Sequence, residues 1–441
     1  MNKSNKPTKT KKAMKKIMNY LSMAALALVG AVMTGCNSED NIVSEPQQPQ
    51  DKSNVVPLTT TVSFDDADGA ATRALAIDYT AKTLTKTFAA GDQIAVIYQN
   101  TGGTTSKAVS EALTAGGKSA TFSVTLENQK ENGSVKYIYP AAMAGDTDVD
   151  YTKLASQDGT LATIASNYDL AVFEGTLSGT ALPASATLEN KLAIIAYTIK
   201  DNADTPNDLT STVTNLKIGV GSNSYSVTRS AAAGPIYVAI QPTSAATIAY
   251  IAYTTSNAYA KSVTSKTYAK GNFYQLGLKM AEGITSPVLG QVVGSDGKNY
   301  ATATDATAAG TTAVAMIAYV ADNGKSGLAI ALADDGSKDW ATAISTCEGK
   351  AAAGGYLWHL PSQDEWKAMF KANGDDADSC SGLNTAIGTA GGSALQEDDG
   401  YWSSTENDDG SAYDVDLGEG DADWDTFDKV DDYLVLACLA F

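Results

Sequence analysis

Basic residues other than lysine are nearly missing from this 441-residue chain, which holds one histidine and two arginines, Arg73 and Arg229. Cysteine is also scarce, with only Cys36, Cys347, Cys380 and Cys438. Each scarcity excludes something. No Cys-x-x-Cys pair and no Cys/His metal spacing occurs, so no metal motif is read from the sequence. No serine sits in a Gly-x-Ser-x-Gly elbow, and the cysteines are not spaced as a reactive pair, so no catalytic constellation emerges and no enzyme is expected. The lone histidine, His359, stands at a strand-to-helix corner and reads as a local hydrogen-bonding group. Basic clusters are lacking beyond residue 35. The net charge is −19, and removing the seven lysines of residues 1–35, which include no acid, leaves −26. That balance argues against nucleic acid or an anionic lipid face as a partner and favours solubility. Helical periodicity is nearly absent before residue 281.

What is present begins with a targeting segment, residues 1–36. A lysine-rich stretch ending at Lys16 precedes an apolar run over 21–33. The run is too short for a comfortable membrane span and suits a signal sequence. Small residues directly before Cys36 resemble a lipobox. By likeness to bacterial lipoproteins, Cys36 would be acylated and become the mature N-terminus, anchored in the outer membrane. Residues 37–57 are rich in Ser, Asn, Gln, Pro and acids and read as a disordered tether. Their acidic start, Ser38-Glu39-Asp40, resembles a surface-export signal.

Residues 58–185 and 186–281 read as two β-sandwich domains. Short β-branched or alternating runs recur at 93–98, 120–126, 135–139 and 170–173, then at 193–197, 236–240, 247–253 and 273–278. At the front, Leu58, Thr60, Val62 and Phe64 would face inward and the residues between them outward, with period 2. Arg73 follows in a small-residue segment, Gly69-Ala-Ala-Thr-Arg73-Ala-Leu, where an Arg-specific protease would find one of its very few targets.

Residues 288–441 change character. Trp340, Ile344 and Cys347 fall at i, i+4 and i+7, and Trp366, Met369 and Phe370 at i, i+3 and i+4, giving two amphipathic helices. Ser362 and Glu365 have the spacing of a capping box. Residues 328–332 read as a buried strand and 412–417 as an alternating one. Residues 433–441 read as one closing strand, apolar on both faces. Between Asp375 and Asp432 lie eighteen acids and a single base, Lys429. Asp421, Asp423 and Asp425 have the alternate-acid start of a calcium loop but lack its glycine and its full length. A solvated acidic rim is therefore the first reading and calcium the alternative. No other cofactor is expected.

Two resemblances organise these observations. Thr72-Arg73-Ala74, Phe88-x-x-Gly91-Asp92-x-Ile94, Tyr137-x-Tyr139-Pro140 and Lys270-Gly271-Asn272-Phe273-Tyr274 resemble the fimbrillin-like pilins of type V pili. That resemblance implies cleavage at the Arg73–Ala74 bond, loss of the first strand, and donor-strand exchange with another pilin subunit. Further on, Trp340-x-x-Ala343-x-x-x-Cys347, Gly354-Gly355-Tyr356, Trp358-His359-Leu360-Pro361-Ser362 with Glu365-Trp366, and Tyr401-Trp402-Ser403-Ser404-Thr405-Glu406 are similar to bacterial C-type-lectin-like domains. His359 stands where that family commonly has arginine, and the calcium- and sugar-holding triplets of animal lectins are absent. This second resemblance implies a Cys347–Cys438 disulfide, with Cys347–Cys380 the alternative. It also implies a ligand surface in the region 397–429, for which Trp402, Glu406, Asn407, Asp423, Trp424 and Asp425 are the candidates. The combined expectation is a lipidated fimbrial subunit of the cell surface, tip-placed because its closing strand is not spare, that binds a host glycan or protein. The alternative is a solitary surface lipoprotein that binds without forming a pilus.

Overall fold

The strand Leu58–Phe64 sets the first part of the architecture. In the computed structural model, which describes residues 58–64, 76–78, 83–221, 223–230, 232–375, 379–396, 399–418 and 421–441, the chain is mainly β. No described helix is long and apolar enough to cross a membrane. Cys36, the tether, Arg73 and Ala74 lie outside the described residues. Leu58–Phe64 joins a seven-stranded sheet in the order Thr105–Val109, Ala95–Gln99, Ser134–Tyr139, Ala171–Thr176, Ser185–Asn190, Leu58–Phe64, Ser119–Val124. Its alternation is the one expected, with Thr60, Val62 and Phe64 buried and Thr59 and Thr61 exposed.

Three strands of that sheet, Ala95–Gln99, Ser134–Tyr139 and Ala171–Thr176, carry apolar residues on both faces. Val96, Tyr98, Tyr137 and Tyr139 enter a core with Val62 and Phe64. Ala95, Ile97, Ile138 and Val172 enter a second core shared with residues 192–280. The two β regions thus have a common wall, which explains why these strands read as continuous apolar runs. The second, eight-stranded sheet runs Ile236–Ile240, Ala193–Asp201, Phe273–Glu282, Ala258–Tyr268, Thr243–Tyr253, Asn215–Val220, Asn223–Thr228, Ser156–Gln157. Its last strand comes from the first region. Ser185–Asn190 still belongs to the first sheet, so the chain crosses over at 191–192 rather than at 185.

The C-terminal part is α+β. A six-stranded sheet includes Gly327–Ala331, Cys438–Ala440 and Trp358–His359 as consecutive neighbours, and a five-stranded sheet includes Tyr433–Leu434, Asp399–Glu406, Ser411–Gly418 and Asp421–Asp428. The expected helices form at Trp340–Gly349 and Gln363–Ala372, the second with its capping box complete. Two further helices, Ala303–Ala308 and Ser381–Thr389, escape periodicity because Gly, Thr and Asn dilute the pattern to single pairs such as Leu383 and Ile387. The closing segment is not one strand. Tyr433–Leu434 pairs in one sheet and Cys438–Ala440 in the other, and the buried residues 435–437 cross between them.

This part packs directly on the second sheet. Ile251, Tyr253, Ala258 and Ala260 share one core with Tyr356, Trp358 and Trp366. The Ile284 N–H donates to Tyr356 Oη at 3.0 Å. At Gly355 a Cβ would lie 2.6 Å from the Lys261 nitrogen and 2.7 Å from the Ala260 carbonyl carbon, so only glycine fits there.

Candidate functional site

The first candidate is the seat of the first strand. Leu58–Phe64 is hydrogen-bonded on both sides, parallel to Ser185–Asn190 and antiparallel to Ser119–Val124. Phe64 stacks on Phe88 with ring centroids 4.4 Å apart and meets Tyr139 edge-on at 5.3 Å. Tyr139 Oη in turn donates to Asp92 Oδ2 at 2.9 Å, and the same oxygen accepts from the Ala89 N–H at 2.8 Å. Residues from two separated sequence motifs, 88–94 and 137–140, therefore meet around the inward face of this strand. Removing the strand would expose two sheet edges and an aromatic trench. Burying side chains the size of Val62 and Phe64 stabilises by roughly 1.5–3 kcal/mol each, so an emptied trench would favour a replacement strand. Of the two arginines, Arg229 is half-buried and donates to the Ala232 carbonyl.

The second candidate is the three-stranded face of residues 399–428. Pairing register places Glu406, Trp402, Asp423 and Asp425 on one side of the sheet. Trp424 lies opposite Val415, on the other side, where Lys367 Nζ sits 5.0 Å from its ring centroid. Glu406, Asn407 and Asp423 are exposed, and Asp425 is partly buried. The expected ligand residues therefore divide between two faces. Trp402 is a correction: it is fully buried, its indole N–H donates to the Lys338 carbonyl at 2.8 Å, and it offers no stacking surface. The indoles of Trp340, Trp358 and Trp366 likewise donate to backbone carbonyls, those of Ser403, Ala351 and Trp402. These tryptophans hold the module together. Lys429 is also committed, donating to Glu406 Oε2 at 3.1 Å and lying 4.7 Å from the Trp340 ring centroid.

The acidic face is not wholly a solvated rim. Asp414 is fully buried, and neither carboxyl oxygen has a hydrogen-bond partner among the described residues. Burial first, then the carboxylates of Asp416 and Asp425, push its pKa up to about 8. Sequence alternation placed Asp414 correctly on the face opposite Val415. It could not reveal that Tyr433, whose ring packs against Trp402 with centroids 4.9 Å apart, closes over that face.

The cysteines correct another expectation. Cys347 and Cys438 are buried free thiols, so neither a Cys347–Cys438 nor a Cys347–Cys380 bridge forms; Cys380 is buried as well. Cys438 Sγ is turned toward His359, 3.1 Å from Nε2. Burial raises its pKa well above the usual thiol value, helped by the Glu365 carboxylate and by Cys347. Burial likewise pushes the Cys347 thiol up to about 12. His359 Nε2 also lies 3.0 Å from Glu365 Oε1. Burial would raise the Glu365 pKa, but hydrogen bonds from His359 and Ser362 hold it below its usual value. Both contacts fall on the same ring nitrogen, whereas a nucleophile–base–orienter relay uses the two nitrogens separately.

No protein-family model and no curated protein matches the chain. Among solved structures, it is similar to a fimbrial protein from Bacteroides ovatus at 12% identity and TM-score 0.25, over 88% of this chain and 100% of that one. It is also similar to a fimbrial assembly protein from Parabacteroides distasonis at 13% identity and TM-score 0.26, over 50% of this chain and 91% of that one. Superpositions this loose do not decide function.

Proposed function

We propose that the chain is a cell-surface fimbrial subunit, matured by an Arg-specific protease that cuts between Arg73 and Ala74. Cleavage releases the Leu58–Phe64 strand, and a strand from another pilin subunit takes its place. The observation that carries this reading is the position of that strand. It sits between two neighbours and fills the core with Thr60, Val62 and Phe64, yet it precedes the arginine and is covalently separable from everything it supports. Before maturation Cys36 anchors the subunit in the outer membrane. The closing strand Cys438–Ala440 is bonded on both sides, to Gly327–Ala331 and Trp358–His359, so it is committed to its own sheet. The C-terminal part then acts as an adhesin. Its exposed hairpin at Glu406–Asn407 and the Asp423 edge contact a host glycan or protein.

Arg-specific proteolysis of the folded protein beginning at Asn37, followed by N-terminal sequencing, tests this. The expected outcome is one cut before Ala74, no cut after Arg229, and a folded body that captures a pilin strand peptide. Resistance at Arg73, or a cut body without strand-accepting capacity, would leave a solitary surface lipoprotein as the better reading.

A further inference from the structure

Three side chains from three elements converge beside the C-terminal strand. His359 and Cys438 are directly opposed across an antiparallel pair, so the backbone itself holds their side chains on one face of the sheet. Glu365 joins them from the first turn of the following helix. A ring nitrogen of His359, an oxygen of Glu365 and Sγ of Cys438 all lie within 4.8 Å of one another. The hydrogen-bond inventory at this point is poor. Nε2 has either one hydrogen or one lone pair to offer, and the Glu365 carboxylate, an acceptor, and the Cys438 thiol both approach it, at 3.0 and 3.1 Å.

We infer that His359, Glu365 and Cys438 form a binding site for a borderline-soft divalent metal ion, zinc being the natural occupant. An imidazole nitrogen, a thiolate and a carboxylate are the donor types such an ion selects. A tetrahedral ion with metal–nitrogen about 2.0–2.1 Å and metal–sulfur about 2.3 Å would set its ligand atoms roughly 3.4–3.6 Å apart, a few tenths of an ångström wider than Nε2 now stands from Glu365 Oε1 and Cys438 Sγ. The small outward shift is available because the His359 and Glu365 side chains are 34% and 28% exposed. Glu365 is pre-oriented: its Oε2 accepts from the Ser362 N–H at 2.8 Å and from Ser362 Oγ at 3.0 Å, which leaves Oε1 to face the ion.

Charge and protons balance. The ion binds the Nε2 lone pair, with the ring proton on Nδ1, the ionised carboxyl and the sulfur. The thiol proton leaves to solvent. The loaded site is neutral, two positive charges on the ion meeting one negative charge each on sulfur and carboxylate, which suits a half-buried position. Three protein ligands leave a fourth position for water or a ligand atom. His359 also lines a cavity of about 470 Å³ with Lys217, Ala249, Ile251, Trp358 and Ala440, on the side where the second sheet meets the C-terminal part. Sequence spacing hides the site because its members are residues 359, 365 and 438.

Cobalt(II) titration of the reduced full chain tests the inference, in a Cys36→Ser background that removes the one thiol outside the described residues. One equivalent should bind and give a thiolate-to-cobalt charge-transfer band in the near ultraviolet, and zinc should displace it. Cys438→Ser should abolish the band. His359→Arg places a cation beside Glu365 while removing the lone pair, and the partly exposed position gives the longer side chain a way out to solvent. That variant should bind at least about tenfold more weakly even if Cys438→Ser fails to fold. Absence of the band in the parent would overturn the site. So would a band of unchanged strength in His359→Arg, or one that persists in folded Cys438→Ser.

Discussion

Asp414 shows how far a single residue can depart from its sequence neighbourhood. It lies among eighteen acids in a stretch that reads as solvated, yet it is the one that burial holds to a pKa of about 8. An unfolded aspartate ionises near 3.9. Between those values the native protein keeps a proton that the unfolded chain has released. Stability from this group is therefore complete below about pH 4 and is lost as the pH rises toward 8. Asp414→Asn should flatten that part of the profile and be more stable than the parent at pH 8 by on the order of 1 kcal/mol or more. Urea denaturation at pH 5 and pH 8 measures it, and equal slopes in both proteins would show that Asp414 is not the group responsible. At this scale, sequence located the acid and its face but not its burial, because the cover comes from Tyr433, nineteen residues further on.

Among the elements, the helix Gln363–Ala372 was the most legible. Its start is written locally, with Ser362 Oγ accepting from the Glu365 N–H at 3.3 Å and Glu365 answering through the Ser362 N–H. Ser362→Ala should cost about 1 kcal/mol, seen as a lower urea midpoint with an unchanged denaturant slope. A change below a few tenths of a kcal/mol would mean that tertiary packing of Trp366 and Phe370 alone holds the helix end. The first strand was equally legible, since period-2 alternation depends only on neighbours. The closing strand was not. Residues 433–441 are apolar on both faces, and a uniform run has no periodicity to show where pairing passes from one sheet to the other.

For the molecule as a whole, the contact between the second sheet and the C-terminal part is close enough to exclude a single methyl group. Gly355→Ala would drive a Cβ against the backbone of Ala260 and Lys261. It should destabilise the protein by about 1–3 kcal/mol and separate the thermal unfolding of the C-terminal part from that of the β region. A single transition at the parental temperature would show that the contact yields without cost. Composition and pattern alone determined that the chain is mainly β, where its first strand lies and which way that strand faces, that two amphipathic helices follow Trp340 and Ser362, and that the C-terminal part is α+β. These follow from local rules of alternation, periodicity and capping, which act within about ten residues. Only the tertiary structure decided that the two β regions share a wall, that Cys347 and Cys438 are not bridged, that Trp402 is interior, and that His359, Glu365 and Cys438 meet. Each of those facts depends on chain segments distant in sequence, and no local pattern encodes which distant segment arrives.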